Sequence, residues 1–302
     1  MIPNAPESRK LPGRRRLPMR ACLIAILAVP AAVQDRPLPD YANFMAEARK
    51  RLAADDVRQS EYVYVATQRQ QKLDASGKST KETLDVFESY PALPNEARWR
   101  RQTVKDGKPV PPEDLVKVDH ERQKKVFEYA KKLEQNPEKV RAAEQKKRDE
   151  ERRDTERAVD DVLRVYDIKM LGREAMSGYE TIGFSFTPRK DARPQTSEGK
   201  IMRHFAGKAW VSESEYEIVR LEAEAIETAS FGLGLLARVH KGSKATFERR
   251  KVNGEQWLPA RATYTASARV LLVKVMRIGG TLDFSDYRKY SVETDTKIGK
   301  PQ

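Results

Sequence analysis

The sequence predicts an α+β fold, a curved antiparallel sheet with helices laid against one of its faces. Three observations lead there. Between Ile201 and Tyr290, polar and apolar residues alternate through several long stretches joined by short turns. That is the period of strands, whose side chains point alternately to opposite faces. The clearest stretch, Trp257–Leu272, sets Leu258, Ala260, Ala262, Tyr264, Ala266, Ala268, Val270 and Leu272 on one side, with Tyr264 the only large aromatic. A tightly filled sandwich core needs more bulk, so the small residues predict strong curvature or open room over a concave face. Finally, Pro112–Asp160 holds 14 basic and 14 acidic residues and no glycine, a composition that favours helix.

The elements follow in chain order. Arg14, Arg15, Arg16 and Arg20 precede the apolar run Ala21–Val33, which ends in small residues. A basic region, a short apolar run and a small-residue exit describe a secretory signal peptide over residues 1–33, with Met19 an alternative start and an uncleaved anchor the competing reading. Cys22, the only cysteine, lies at the front of the apolar run rather than after it, which argues against lipidation and leaves the exported chain without disulfides. Asp40 is placed to cap a helix from Tyr41 to about Ala54, with Phe44, Met45, Ala48 and Leu52 on the side that would cover a sheet. Arg58–Gln70 and Thr80–Tyr90 read as a hairpin around the turn residues Asp74–Lys78, and Ala97–Lys105 as a third strand ending at Asp106-Gly107.

Pro137 divides the charged helical segment in two. Glu144–Arg157 has almost no apolar member, so the segment is either a solvated excursion between strands or a docking arm for a partner. Strand character is expected again from Asp161, then at Tyr179–Thr187, with Pro188–Lys200 a loop. Ile201–Val211 and Tyr216–Ala225 are expected to pair. Phe231–His240 interrupts the meander as a short helix or loop that either plugs the barrel end or forms a lid. Lys244–Lys251 and Trp257–Leu272 flank the hairpin signal Val252-Asn253-Gly254-Glu255, and Leu282, Phe284 and Tyr287 close the sheet.

Little in the chain points to chemistry. His120, His204 and His240 sit in different elements, with no second histidine or cysteine at metal-ligand spacing, so neither metal nor cofactor is expected. Phe231-Gly232-Leu233-Gly234 starts like a dinucleotide fingerprint, but Ala237 stands at the third glycine position. Glu222 and Glu224 share a strand face opposite Leu221 and Ala223, so a solvated outer face accounts for them, and Asp283 and Asp286 form no evident dyad. No catalytic residue is assigned. The formal charge of +13 falls to +8 beyond residue 33. That excess suits an anionic membrane surface, and export argues against nucleic acid.

Gly207-Lys208-Ala209-Trp210-Val211 and Tyr216-Glu217-Ile218-Val219-Arg220-Leu221-Glu222 resemble a strand pair of LolA/LolB-like proteins. Phe231–Lys241 before Gly242, Trp257-Leu258-Pro259 and Phe284-Ser285-Asp286-Tyr287-Arg288 are similar to a bacterial outer-membrane lipoprotein-sorting-like branch. In that branch a charged helical segment also follows a turn like Asp106–Pro109. The resemblance implies an open half-barrel with helices over its concave face, one domain from 34 to 302 with the insertion at about 112–160, and a periplasmic protein binding a lipid or lipoprotein acyl chain. The expected activity is binding or carriage without catalysis; the alternative is an envelope scaffold whose charged helices dock a protein partner. The expected ligand-lining residues are Phe231, Leu233, Leu235, Leu236, Tyr264, Val270 and Leu272.

Overall fold

The computed structural model describes residues 36–53, 61–91, 98–231, 237–270 and 274–289; the expected leader lies outside them. Helix α1 (Tyr41–Ala53) starts where Asp40 accepts a hydrogen bond from the Asn43 N–H at 2.9 Å, the expected cap. Strands β1 (Tyr62–Leu73) and β2 (Ser79–Tyr90) form the first hairpin. In its turn Asp74 accepts from the Ser76 hydroxyl and from the Ser76 and Lys78 N–H groups. The Ser76 hydroxyl foremost holds that carboxyl below its ordinary value. β3 (Trp99–Lys105) turns through Asp106 and Gly107, both at positive φ, into the short β4 (Lys108–Pro109).

The charged segment forms two long helices, α2 (Pro112–Gln135) and α3 (Pro137–Val165), broken at Pro137 as expected. Tyr129 on α2 donates to Glu144 on α3 at 2.5 Å, and Arg101 on β3 grips Asp119 of α2 through two hydrogen bonds of 2.7 and 3.0 Å. The strand expected from Asp161 begins only at Tyr166. Val159, Val162 and Leu163 recur at helical spacing and line the apolar cavity over the sheet, which keeps α3 helical through its last turn.

β5 (Tyr166–Met176) and β6 (Tyr179–Pro188) form the next hairpin. A second correction follows: residues 197–202, expected as loop and strand, form helix α4 (Ser197–Met202), capped by the Thr196 hydroxyl accepting from the Gly199 N–H. The strand expected from Ile201 therefore starts at Phe205. After β7 (Phe205–Ser212) and β8 (Ile218–Ala225), the expected helix or loop at Phe231–His240 is entered and left by paired strands, β9 (Ala229–Phe231) and β10 (Ala237–Val239); residues 232–236 lie outside those described. β11 (Lys244–Val252), β12 (Gln256–Val270) and β13 (Lys274–Lys289) complete the chain.

The main sheet runs β4-β3-β2-β1-β13-β12-β11-β8-β7-β6-β5, antiparallel throughout and not closed into a barrel, with β10 and β9 added beside β12. The first and last strands meet in its interior, Ala66 opposite Phe284. Cross-strand register lays two apolar rows on one face. Met170, Phe184, Ala209, Leu221, Phe247, Ala262 and Leu282 succeed one another across seven strands. Two residues along, Ile168, Phe186, Gly207, Ala223, Ala245, Tyr264 and Gly280 do the same, and this row is mostly small. Gly207 cannot be larger, because a Cβ there would run into the Glu222 backbone and the Phe186 ring.

The expected single apolar side of β12 needs one amendment. Arg249 opposes Pro259 while Glu248 opposes Arg261, so an extra residue inverts the alternation at Ala260. Leu258 is thereby turned off the face that Ala262, Tyr264 and Ala266 share. On the opposite face charges pair instead: Arg220 with Glu222 and Glu248, and Asp283 with Arg261 and Arg69.

α1 lies on the apolar face. Its Phe44 packs between Phe184 (ring centroids 5.5 Å apart) and Tyr216 (5.1 Å), in a cluster with Ile182 and Val211. Burying such a ring contributes about 1.5–3 kcal/mol. A second cluster gathers around Trp257, whose ring lies 4.5 Å from that of Tyr179 and whose indole N–H donates to Glu215 at 3.0 Å.

Two outcomes check this architecture. Replacing Lys117–Thr155 with a short Gly/Ser linker removes mostly exposed helix and keeps the part of α3 that faces the sheet; a single cooperative thermal transition is expected to survive. Trp257→Ala, at a side chain 2% exposed, is expected to cost about 3–5 kcal/mol in chemical denaturation.

Candidate functional site

Helices α1, α3 and α4 cover only part of the apolar face, and between them and β5–β8 lies a cavity of about 420 Å³. That volume falls within the range of small-ligand sites. The helices contribute Met45, Ala48 and Leu52, then Val159, Val162 and Leu163, then Ile201 and Met202; the floor is made by Phe184, Phe186, Ala209, Leu221 and Ala223. Ala209, beside Phe184 in its row, and Ala223, between Gly207 and Ala245 in the other, leave the room. The row of small residues, not any one motif, makes the site.

Polar groups enter the wall at two places. At the inner end Arg249 donates to Glu217 at 3.2 Å and to the Trp257 carbonyl at 2.8 Å, and both charged side chains are buried. Between α1 and α3, Arg49 donates twice to Asp160, at 2.9 and 2.6 Å. The rest of the wall is aliphatic and aromatic, the rings of Tyr166 and Tyr216 included. Such a surface can hold an apolar chain.

The end of α3 positions α4 over this cavity. Asp161, almost wholly buried, accepts from the Gln195 and Thr196 N–H groups and from the Thr196 hydroxyl, while Tyr166 donates to the Met202 carbonyl at 2.8 Å. Both ends of the helix are thus fastened to α3 and the residue after it. Burial alone would raise the Asp161 carboxyl; the donors from Thr196 and Gln195, with Arg164 nearby, outweigh it and hold it below the ordinary value. The Tyr166 phenol is pushed up by burial.

Of the residues expected to line the site, Tyr264 lies in the same row as Phe186 and Ala223, farther along the face and outside the cavity wall. Its ring crosses Gly280, where a Cβ would stand 2.7 Å from it, and burial raises its phenol. The side chains of Phe231 and Val270, and all of Leu233, Leu235, Leu236 and Leu272, lie outside the described residues. The cavity wall was legible piecemeal in the α1 stripe and in the alternation of β6. Its completion by α3 and α4 depends on contacts distant in the chain.

Among the described residues no group of three His, Cys, Asp or Glu side chains stands ready for a metal, and no helix is long and apolar enough to cross a membrane. Glu222 and Glu224, weighed above as acid–base candidates, pair with Arg220 and Lys244 on the outer face.

No family model and no curated protein sequence matches the chain. Several solved structures are similar to it over most of its length. An outer membrane lipoprotein-sorting protein domain from Vibrio parahaemolyticus is 10% identical, over 86% of this chain and 98% of that one, with a TM-score of 0.34. A LolA superfamily protein from Nitrosomonas europaea is 10% identical over 85% and 97%, with a TM-score of 0.27. A DUF1329 family protein from Desulfovibrio piger is 11% identical over 83% and 93%, with a TM-score of 0.32.

The carboxylate at Asp161 yields a pH prediction. A carboxyl held below its unfolded value of about 3.9 contributes stability above that pH and loses it as pH falls through the folded value. Asp161→Asn keeps the shape and removes the charge. The variant is expected to unfold at a lower temperature than wild type at pH 7, with the difference shrinking below about pH 4; a constant difference across that range would place the effect elsewhere.

Proposed function

We propose that the protein is an exported, non-enzymatic carrier or binding protein of the cell envelope that holds a lipid-like acyl chain in the cavity between α1, α3, α4 and β5–β8. The observation that carries this reading is the wall itself. Aliphatic and aromatic side chains surround about 420 Å³ of space, and the buried charges at its end, Glu217 and Arg249, are engaged with each other. An apolar chain gains from leaving water there and meets no unmatched charge. Export rests on the leader at residues 1–33, and the periplasm is the compartment that fits.

Lipid extraction and mass spectrometry of protein recovered from the periplasm are expected to reveal a bound acyl species. A fluorescent fatty-acid probe is expected to saturate at one site. Ala209→Trp fills the floor where the room is, and is expected to weaken the probe by about tenfold or more, while overpacking costs about 1–3 kcal/mol of stability. A probe that binds wild type and variant alike would move the site away from this cavity.

A second reading is favoured by one observation on the helical arm. Phe127 and Val116, 71% and 65% exposed, stand three turns apart on one side of α2 amid charged residues. Such a face suits an envelope protein partner. The linker replacement described above separates the two: lost function in the cell with intact probe uptake favours the docking arm.

A further inference from the structure

The surface around the cavity differs from that of the long helices. Leu163 and Ile201 line the cavity and are each 37% exposed, so they stand at its rim. Beside them runs the connection from β6 through α4, residues 189–204, folded along the last turns of α3. The Arg189 N–H donates to the Val165 carbonyl at 2.8 Å, Gln195 and Thr196 donate to Asp161, and the Met202 carbonyl accepts from Tyr166. This stretch carries Arg189, Lys190, Arg193, Lys200 and Arg203, all exposed, against only Asp191 and Glu198. Among the described residues none of the five cations stands in an ion pair.

The long helices behave otherwise. From Pro112 to Asp160 their 14 cations are matched by 14 anions, and several pair along the helix, as in Arg152 with Asp149 and Arg157 with Asp154. Unlike the balanced helices, the 189–204 connection carries a net cationic excess, and it sits beside exposed aliphatic side chains at the entrance to an apolar cavity.

We propose that this rim, formed by the end of α3 and the 189–204 connection, docks onto an anionic phospholipid bilayer. Basic side chains are drawn to acidic headgroups, and Ile201 and Leu163 meet the acyl boundary. An acyl chain passing from bilayer to cavity at such a contact stays out of water throughout. The purpose of the surface rests on the acyl-ligand reading; its existence does not.

The test is co-sedimentation with phosphatidylcholine vesicles, with and without phosphatidylglycerol. Wild type is expected to sediment with the anionic vesicles only, and to be released at about 1 M salt, where the screening length falls to about 3 Å. Arg193→Glu, Lys200→Glu and Arg203→Glu together are expected to weaken vesicle binding about tenfold or more, with probe uptake from solution unchanged. The matching control reverses Arg141, Lys146 and Arg153 on α3, an equal change of net charge, and is expected to bind nearly as wild type does. Equal loss in both variants, or no vesicle binding by wild type, overturns the proposal. Vesicle binding through this surface with no probe uptake by any protein leaves the docking surface standing and removes the acyl-ligand reading.

Discussion

Register holds this molecule together. Two apolar rows have to stay aligned across seven antiparallel strands, and a slip of one residue in any of them would turn its apolar residues to the charged face. Both faces enforce the alignment. Inside, the rows bury against α1 and the ends of α3 and α4; outside, Arg220, Glu222 and Glu248 form one charged cluster, and Arg261, Asp283 and Arg69 another. Each surface pair contributes only about 0–1 kcal/mol. Their value lies in opposing the shifted arrangement, which would set these charges against the helices.

The last turns of α3 are where sheet, helices and cavity meet. Val159, Val162 and Leu163 wall the cavity, Asp160 holds α1 through Arg49, and Asp161 holds the start of α4. One short stretch therefore sets the distance between two covering helices and the sheet. The remainder of the helical pair reaches away from it, touching β3 through the Arg101–Asp119 pair. The charged arm and the covering end are one helix with two environments, which is why its composition changes between Glu144–Arg157 and Val159–Val165.

Features set by neighbouring residues are legible in the sequence. The Asp40 cap, the Asp106-Gly107 and Asn253-Gly254 turns and the break at Pro137 each depend on a few adjacent residues and stand where expected. Two boundaries lack such local marks. Val162–Leu171 is apolar at mixed spacing, and a helix end running straight into a strand has no glycine or polar gap to mark the change. Helix α4 was hidden because its anchor, Asp161, is more than thirty residues away in the chain. The cavity depends on the same long-range placement. Alternation showed that the sheet had a small-residue face, yet only the register shows that Ala223 and Tyr264 share a row and that the helices stop over the first of them.

Curvature has a second source that composition did not reveal. Small residues were expected to let the sheet bend, but six of the strand pairings also contain a register shift, among them Met170/Gly172, Trp210/Val211 and Glu248/Arg249. An extra residue on one strand bends it and sharpens its twist. Three of these extra residues fall in β5, β8 and β12, in and beside the cavity floor, so the bend and the small residues act on the same region. A sheet curved this way shelters a cavity without bringing β4 and β5 together, and its edges remain apart. Closure of the site is left to the helices, and of these α4 is the shortest, spanning Ser197–Met202. Its hold on α3 consists of a few hydrogen bonds at each end, whereas every strand beneath the cavity is fixed along its length by its neighbours. The wall that carries Ile201 and the exposed cations is therefore hydrogen-bonded to its support at its two ends. A chain entering or leaving by displacing α4 would disturb no strand pairing at all.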